Sequence, residues 1–575
     1  MVSAPLIEKL KKTAGGYPDQ RSALLPALDM VQRENGNHLS KEDIAAVAGL
    51  LGVTLGKAYG VASYYTLYNT AKVGRYHIQV DTNIPATLMG GQAILTHCED
   101  MLGIRAGETT PDGLFTLSEV EDLGSCGTCP VIQVNDVYYE NMTIEKTDAL
   151  LESLKKGILP EARNESHFGS ECKVLLKNRG DISNRSIVQY RKRGGYAGLE
   201  KAKALKPVEI LDAVKHAIVR GRGGAGFPAG MKWGFLPQDN AAPVYLICNA
   251  DEGEPGTFKD RQIMEYDPHL LVEGIAIAAR AINAKKAFIY IRGEFRWIAG
   301  ILEDAIHEAR TAGLLDVLDI IVHRGQGSYE CGEETALIES LEGKRGCPRL
   351  KPPFPALKGL YGCPTIVNNV ETLACLPYIM EHGPEAFKKI GVVGNAGPKL
   401  FGVSGHVNKP GVFEYPLGTP LKTILQAAGG VKGNLKAVIV GGLSTPILTA
   451  AEAETLNMDY DACLKAGTML GSGGIIVMND TVAMPPIALR TIKFYAHESC
   501  GQCTPCREGS VAVESLIEKL LSGCGETADI DRILHLCDTI IGSTLCPTGD
   551  AFAMPIRAMV RKFLAEFETL VTANP

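Results

Sequence analysis

No stretch of this sequence is long and apolar enough to cross a bilayer. The longest apolar segments, 274–282 and 437–443, fall well short of the about 20 residues that a spanning helix needs. Residues 1–16 lack an apolar core followed by a small-residue cleavage site and so do not read as a signal peptide. Cationic excess is also missing: 58 Lys and Arg stand against 65 Asp and Glu, a net charge of −7 with a pI near 6.0. General attraction to nucleic acid or to anionic lipid is therefore excluded. No repeat of fixed period occurs, and 45% hydrophobic with 21% charged residues is a composition neither disordered nor fibrous. The expected location is the cytoplasm, with no direct membrane insertion and contact with the membrane face only through a partner complex.

What the chain does have is size, thiols and glycine. Its 575 residues at roughly 100–200 per domain suggest three to five domains. Sixteen cysteines in a large unsecreted chain read as reduced thiols and metal ligands rather than a disulfide framework. The 63 glycines, about 11% of the chain, exceed the average of about 7% and gather in particular loops, as expected where backbone approaches a ligand.

Periodicity divides the chain into six parts. Residues 1–75 read as a helical bundle, from Leu24, Leu25, Leu28 and Val31 and then Ile44, Val47, Ala48, Leu50 and Leu51 after a start signal at Asn37 and Ser40. Residues 76–155 change to strands at 77–80, 114–117 and 130–134 around a helix at 92–102, with the turn pair Asn135-Asp136, an order that suggests a thioredoxin-like α/β unit. Residues 156–212, with Arg191-Lys192-Arg193 and Gly194-Gly195, read as a basic linker. In 213–395, strands such as 244–248 and 287–291 alternate with helices, as in an α/β layer fold. Residues 396–485 hold short strands and turns, and 486–575 return to helix.

The strongest local signal is Cys500-Gly-Gln-Cys503-Thr-Pro-Cys506, three thiols able to converge on one cluster. Cys546, followed by Pro547, is the best fourth, since Cys₄ ligation holds [4Fe–4S] and prolines often follow such ligands. Cys524 and Cys537 are spares. The alternative, a structural Cys₄ zinc site, usually shows two separated C-x₂-C pairs instead of a triple.

The second signal is Gly221-Arg222-Gly223-Gly224-Ala-Gly-Phe227, followed by Lys232. Glycines let successive N–H groups face phosphate oxygens, and Arg222 and Lys232 add positive charge. The spacing is neither a Rossmann fingerprint nor a Walker A loop, and alone it equally fits a tight turn. Beyond the strand at 245–249 come Asn249, Asp251, Glu252 and Glu254, an amide and three carboxylates at a strand end, where open α/β sheets bind ligands. Tyr329 and Gly332 lead into Glu333 and Glu334, acids that also suit a helix N-terminus. Lys351 and Phe354 on a proline-rich loop, with Asn368, Asn369 and Thr372, complete the outline of a flavin and nucleotide pocket.

On these motifs residues 213–560 closely resemble the flavoprotein subunit of the NADH-oxidising module of respiratory complex I. The resemblance implies an α/β domain for FMN and NADH, a ubiquitin-like β-grasp domain and a terminal helical bundle with [4Fe–4S] on Cys500, Cys503, Cys506 and Cys546. It places FMN against Gly221, Arg222, Gly223, Lys232, Asn249, Asp251, Glu252, Tyr329, Gly332, Asn368, Asn369 and Thr372, and Gly224 and Glu333 are expected among the cofactor-binding residues. It places NADH against Phe227, Phe235, Glu254, Glu334, Lys351 and Phe354, with Glu254 and Glu334 closest to the catalytic step and no acid or base needed for hydride transfer.

Residues 20–150 resemble the thioredoxin-like small subunit that accompanies this flavoprotein, through Thr110-Pro-Asp-Gly-Leu-Phe-Thr-Leu and Gly124-Ser-Cys-Gly-Thr-Cys-Pro-Val. Where that family has its four [2Fe–2S] cysteines, this sequence has Asp81, Ala86, Asp122 and Cys126. The expectation is a degenerate site with no [2Fe–2S]. Such a fusion is also similar to diaphorase subunits of NAD-linked hydrogenases and formate dehydrogenases. The expected function is to pass hydride electrons from NADH to FMN, then through one [4Fe–4S] cluster to a partner iron–sulfur subunit, the reverse direction being open. Rival readings are an NADPH-specific or electron-bifurcating module and a non-catalytic assembly scaffold.

Overall fold

A computed structural model of the chain describes residues 2–162, 166–237 and 241–571. Residue 1, part of the expected linker at 163–165, 238–240 and residues 572–575 lie outside the described residues.

At the centre is a parallel sheet with the spatial order Asp319–Arg324, Lys286–Ile291, Tyr245–Ala250, Thr365–Asn369. Alternate residues point to opposite faces, and a parallel sheet must be covered on both. Leu246, Cys248, Ala287 and Ile289 meet the helices Pro268–Ala281 and Arg296–Thr311 on one side. Tyr245, Ile247, Phe288 and Tyr290 meet Leu24, Leu28, Val31 and Ile44 of the N-terminal helices on the other. The N-terminal bundle is thus the second layer of the central unit. Its helix Lys41–Leu51 starts at the signal read from the sequence, with Ser40 and Asp43 exchanging hydrogen bonds in a capping box.

His323 lies in the seam between bundle and sheet, buried, with its Nδ1 2.9 Å from the Tyr17 hydroxyl. Burial, reinforced by Arg324, holds its imidazole down to about 3 from 6.5. The folded chain keeps it neutral while the unfolded chain charges it below 6.5. Its stabilising contribution is therefore complete above 6.5 and falls away as pH drops toward 3, by about 1.4 kcal/mol per unit. Denaturant midpoints followed through that window should fall more steeply for wild type than for His323→Gln. Parallel slopes would remove His323 as an acid-sensitive group.

The thioredoxin-like unit has the strand order Phe115–Val120, Tyr76–Asp81, Ile132–Val134, Val137–Tyr139, with helices Gly91–Leu102 and Ile144–Lys155. The strand Val137–Tyr139 goes beyond the sequence reading; it follows the Asn135-Asp136 turn, where Asn135 has φ +54°.

The described residues of 156–212 do not form a solvated linker. His167–Ser170 adds an edge strand beside Gly411–Pro416. Tyr190, Tyr196 and Leu199 are buried in the core of the central unit, where the Tyr190 hydroxyl and the Tyr196 and Leu199 amides donate to the Glu273 carboxylate at 2.6, 2.8 and 3.0 Å. The charged Arg191-Lys192-Arg193 run misleads because the residues that bury themselves are the tyrosines on either side of it.

The β-grasp unit is a six-stranded mixed sheet ordered Leu448–Thr449, Leu435–Ile439, Gly474–Asn479, Pro398–Gly405, Gly411–Pro416, His167–Ser170. Helices Met484–Glu498, Thr504–Leu521, Thr527–Ile540 and Thr548–Lys562 form the terminal bundle. Among the described residues no helix is long and apolar enough to cross a membrane.

Candidate functional site

The glycine loop closes on itself: the Gly221 amide donates to Phe227 O at 3.0 Å and the Ala229 amide to Val219 O at 2.8 Å. A Cβ at Gly223 would come 2.9 Å from Asn369 Cβ, and one at Gly226, where φ is +69°, would come 2.5 Å from the Tyr460 ring. At Gly224 a Cβ would meet nothing within 4 Å. Glycine is thus required beneath the loop by close packing, while its outer face is open. The Arg222 amide donates to Thr372 Oγ1 at 2.9 Å.

The Arg222 guanidinium is fully buried below the loop, donating from Nη2 to Ala396 O at 2.7 Å. Its Nε and Nη1 have no acceptor in hydrogen-bond geometry among the described residues, although Tyr460 and Glu371 lie near its charge. An open backbone cradle above an under-satisfied buried cation fits the phosphate of a mononucleotide. Lys232, expected to supply charge as well, donates from Nζ to Val367 O at 3.0 Å and pairs with Glu334.

Asn368 accepts from Trp233 Nε1 at 2.7 Å, Asn369 donates to Asp260 Oδ2 at 2.6 Å, and Asn249 donates to Gly332 O at 2.9 Å. The amides expected around a flavin ring are thereby locked in place. Asp251 is buried, and burial raises its carboxyl well above the usual range. A cavity of about 460 Å³ lies beside it, lined by Gly253, Arg292, Tyr329 and Glu498 among others, where the central, thioredoxin-like and terminal units meet.

The acids divide into two groups. Glu252 spends both oxygens on the Asp260 and Arg261 amides at 2.6 and 2.9 Å, capping the helix Asp260–Tyr266. Glu333 caps the helix Glu334–Leu341 through the Thr335 and Ala336 amides at 2.8 and 3.0 Å, and pairs with Lys351 at 2.8 Å. Glu254 accepts from the Tyr329 hydroxyl at 2.8 Å and from the Ser444 amide at 2.6 Å. Of the five carboxylates expected to meet flavin or nucleotide, Asp251 and Glu334 accept from no backbone donor among the described residues, and of these two Asp251 is buried while the Glu334 side chain is 22% exposed beside Lys232. The rings of Phe227, Phe235 and Phe354 are 47%, 55% and 57% exposed, and the first two lie 6.0 Å apart. Exposed aromatic rings of this kind fit a stacking ligand.

Three of the four cysteines sit at the starts of two long helices, and Cys500 lies in the loop that follows the helix Met484–Glu498. Cys503 precedes Thr504–Leu521 and Cys506 lies in its first turn, while Cys546 stands just before Thr548–Lys562. The positive helix ends favour a negatively charged thiolate cluster. Cys506 Sγ is 3.2 Å from Ser499 Oγ, and Cys546 Sγ is 3.4 Å from Thr548 Oγ1 and 3.7 Å from Glu330 Oε2. Cys500 lies beside Cys347, and sharing a proton between the two sulfurs holds the Cys347 thiol down while the Cys500 thiol is raised. Four thiols are the donor type that [4Fe–4S] takes, but here they are not drawn together into a ligating set. Among the described residues no three or more His, Cys, Asp or Glu side chains are drawn up around a single metal ion.

Sequence reasoning missed Arg220, Tyr460, Ser444, Glu330 and Cys347. Tyr460 and Ser444 lie some 200 residues from the loops they touch, so spacing carried no signal; Cys347 could have been found by testing every cysteine against the triple.

In the thioredoxin-like unit, Asn83 Nδ2 donates to Asp122 Oδ1 at 2.8 Å, to Asp81 Oδ2 at 3.2 Å and to Cys126 Sγ at 3.5 Å. Arg292 of the central unit donates to Asp122 Oδ2 at 2.8 Å, and the Gly256 amide to Cys126 Sγ at 3.3 Å.

Comparisons with known proteins identify the domains. Four family models match: a Nuo51 FMN-binding domain at 214–378, a thioredoxin-like [2Fe–2S] ferredoxin at 10–155, an NADH-ubiquinone oxidoreductase-F iron–sulfur binding region at 486–570, and an SLBB domain at 399–477. The NADH-quinone oxidoreductase F 2 subunit of Rhizobium meliloti is 49% identical over 68% of this chain and 96% of its own length. The NADH-quinone oxidoreductase F subunit of Rickettsia typhi is 49% identical over 69% of this chain and 97% of its own. The solved structure of an air-oxidised NAD⁺-reducing [NiFe]-hydrogenase aligns with TM-score 0.87 and 32% identity over 97% of this chain and 95% of that one. One expectation is corrected: the absence of [2Fe–2S] from the N-terminal unit is overturned by the match of 10–155 to the [2Fe–2S] ferredoxin family. A residue-type count at four positions weighed the ligands alone and ignored the pattern of the whole domain.

Proposed function

The chain belongs to the family of NADH-quinone oxidoreductase F subunits, and from that premise we propose how its parts divide the work. It is an NADH-oxidising electron-input subunit of a larger redox complex. FMN supplies a hydride acceptor that releases electrons singly, and [4Fe–4S] supplies a one-electron carrier.

This chain's residues provide position. The glycine loop holds the phosphate, Asn249, Asn368 and Asn369 frame the ring, and Phe227, Phe235 and Phe354 clamp the dinucleotide. Glu334 accepts from a ribose hydroxyl, whereas Glu254 acts one step back by holding Tyr329. Hydride transfer moves a hydrogen with its electron pair, so neither glutamate has a proton to carry.

The observation that carries this reading is the turn Tyr329–Gly332. Gly332 O receives Asn249 at 2.9 Å, the Tyr329 amide donates to Glu498 Oε2 at 2.9 Å, and Glu330 reaches Cys546. The Tyr329 ring packs between Phe494 and Tyr495, with centroids at 5.1 and 5.7 Å. One short segment thus spans from the flavin site to a cluster ligand. Electrons leave to an iron–sulfur chain of the parent complex, in the cytoplasm.

The purified full chain, loaded with FMN, should lose its flavin absorbance on addition of NADH and recover it when an external acceptor is added. A bound flavin indifferent to NADH would contradict this reading and favour the scaffold.

A further inference from the structure

The β-grasp unit does more than separate the flavin and cluster domains. Its Tyr460 hydroxyl donates to Gly221 O at 2.7 Å, and its ring fills the space under Gly226. The Arg220 guanidinium lies 4.3 Å over that ring, donates to Gly226 O at 2.9 Å and reaches Asp461 at 3.1 Å and Asn395 Oδ1 at 3.2 Å. Both ends of the glycine loop are therefore tied to one point of the β-grasp unit.

The acidic loop is tied to the same unit. Ser444 donates its amide to Glu254, and the Leu443 amide donates to Pro255 O at 3.1 Å. A Cβ at Gly442 would strike Glu254 Cγ at 2.5 Å, so glycine there is what admits the contact.

We propose that the β-grasp unit sets the shape of the flavin site, with Tyr460 as a positioning residue that holds the glycine loop in its phosphate-receiving form. The proposal rests on the reading of that loop as the FMN phosphate site. A loop rich in glycine has many conformations to lose when it binds, and anchors at both ends remove that cost before the ligand arrives. Tyr460→Phe keeps the ring under Gly226 and deletes only the hydroxyl; Asp461→Asn weakens the hold on Arg220.

The test is FMN titration of the flavin-stripped full chain, with thermal unfolding of the same flavin-free samples. Tyr460→Phe should bind FMN roughly threefold to tenfold more weakly, the size of one lost hydrogen bond. Asp461→Asn should shift affinity in the same direction, and both flavin-free variants should melt like wild type. FMN affinity equal to wild type in Tyr460→Phe would overturn the proposal, as would a lowered melting temperature with unchanged affinity. Failure of the wild-type chain to bind FMN would overturn the flavin reading itself, and this proposal with it.

Discussion

Cys503→Ser should leave NADH-driven bleaching of the flavin near the wild-type rate while electron delivery to a one-electron acceptor chain falls by about two orders of magnitude or more, because serine is a poor cluster ligand. Cys503 stands at the head of the helix Thr504–Leu521 in the terminal bundle, and the glycine loop is tied instead to the central and β-grasp units. The substitution therefore acts beyond the flavin and leaves the nucleotide cleft untouched. Stopped-flow absorbance separates the two steps. Full onward transfer in the variant would show that the Cys500 cluster is not the obligatory relay.

The second large effect concerns nucleotide choice. A 2′-phosphate brought near a carboxylate is repelled, which selects against NADPH. Glu254, expected beside NADH, is a candidate for this role, yet its oxygens are engaged by Tyr329 and Ser444. Glu334 is partly exposed and holds only a side-chain cation. Glu334→Gln should therefore weaken discrimination against NADPH roughly tenfold or more, about 1.4 kcal/mol, with FMN still bound. Glu254→Gln should leave the preference near wild type, because an amide there mainly disturbs the Tyr329 and Ser444 bonds. Comparing kcat/KM for the two nucleotides decides between them, and a shift in Glu254→Gln without one in Glu334→Gln would reverse the assignment.

These two glutamates illustrate what sequence reading reaches and what it does not. Motifs that act through adjacent backbone, such as Gly221–Gly224 and the Cys500 triple, are local, and their chemistry follows from residue type and spacing. The acids are recognisable as a group, but which of them face a ligand depends on donors far away in the chain. Glu252 and Glu333 turn out to cap helices, and Glu254 is claimed by a residue 190 positions on. Fold reading has the same boundary. The strands at 245–250 and 286–291 announce a buried parallel sheet, yet nothing in their pattern says that Leu24, Leu28 and Val31 cover one face. Tyr190 and Tyr196, lying beside a basic run, were hidden by the charge of their neighbours.

The central claim is that flavin site and cluster form one route within this chain. Rapid mixing of the FMN-loaded full chain with NADH, freeze-quenched and followed by EPR beside flavin absorbance, tests it most directly. The flavin should bleach first, and the signal of a reduced [4Fe–4S] cluster should follow without any added acceptor. A cluster signal that rises equally fast in the flavin-stripped chain, or never rises while the bound flavin bleaches, would contradict the route.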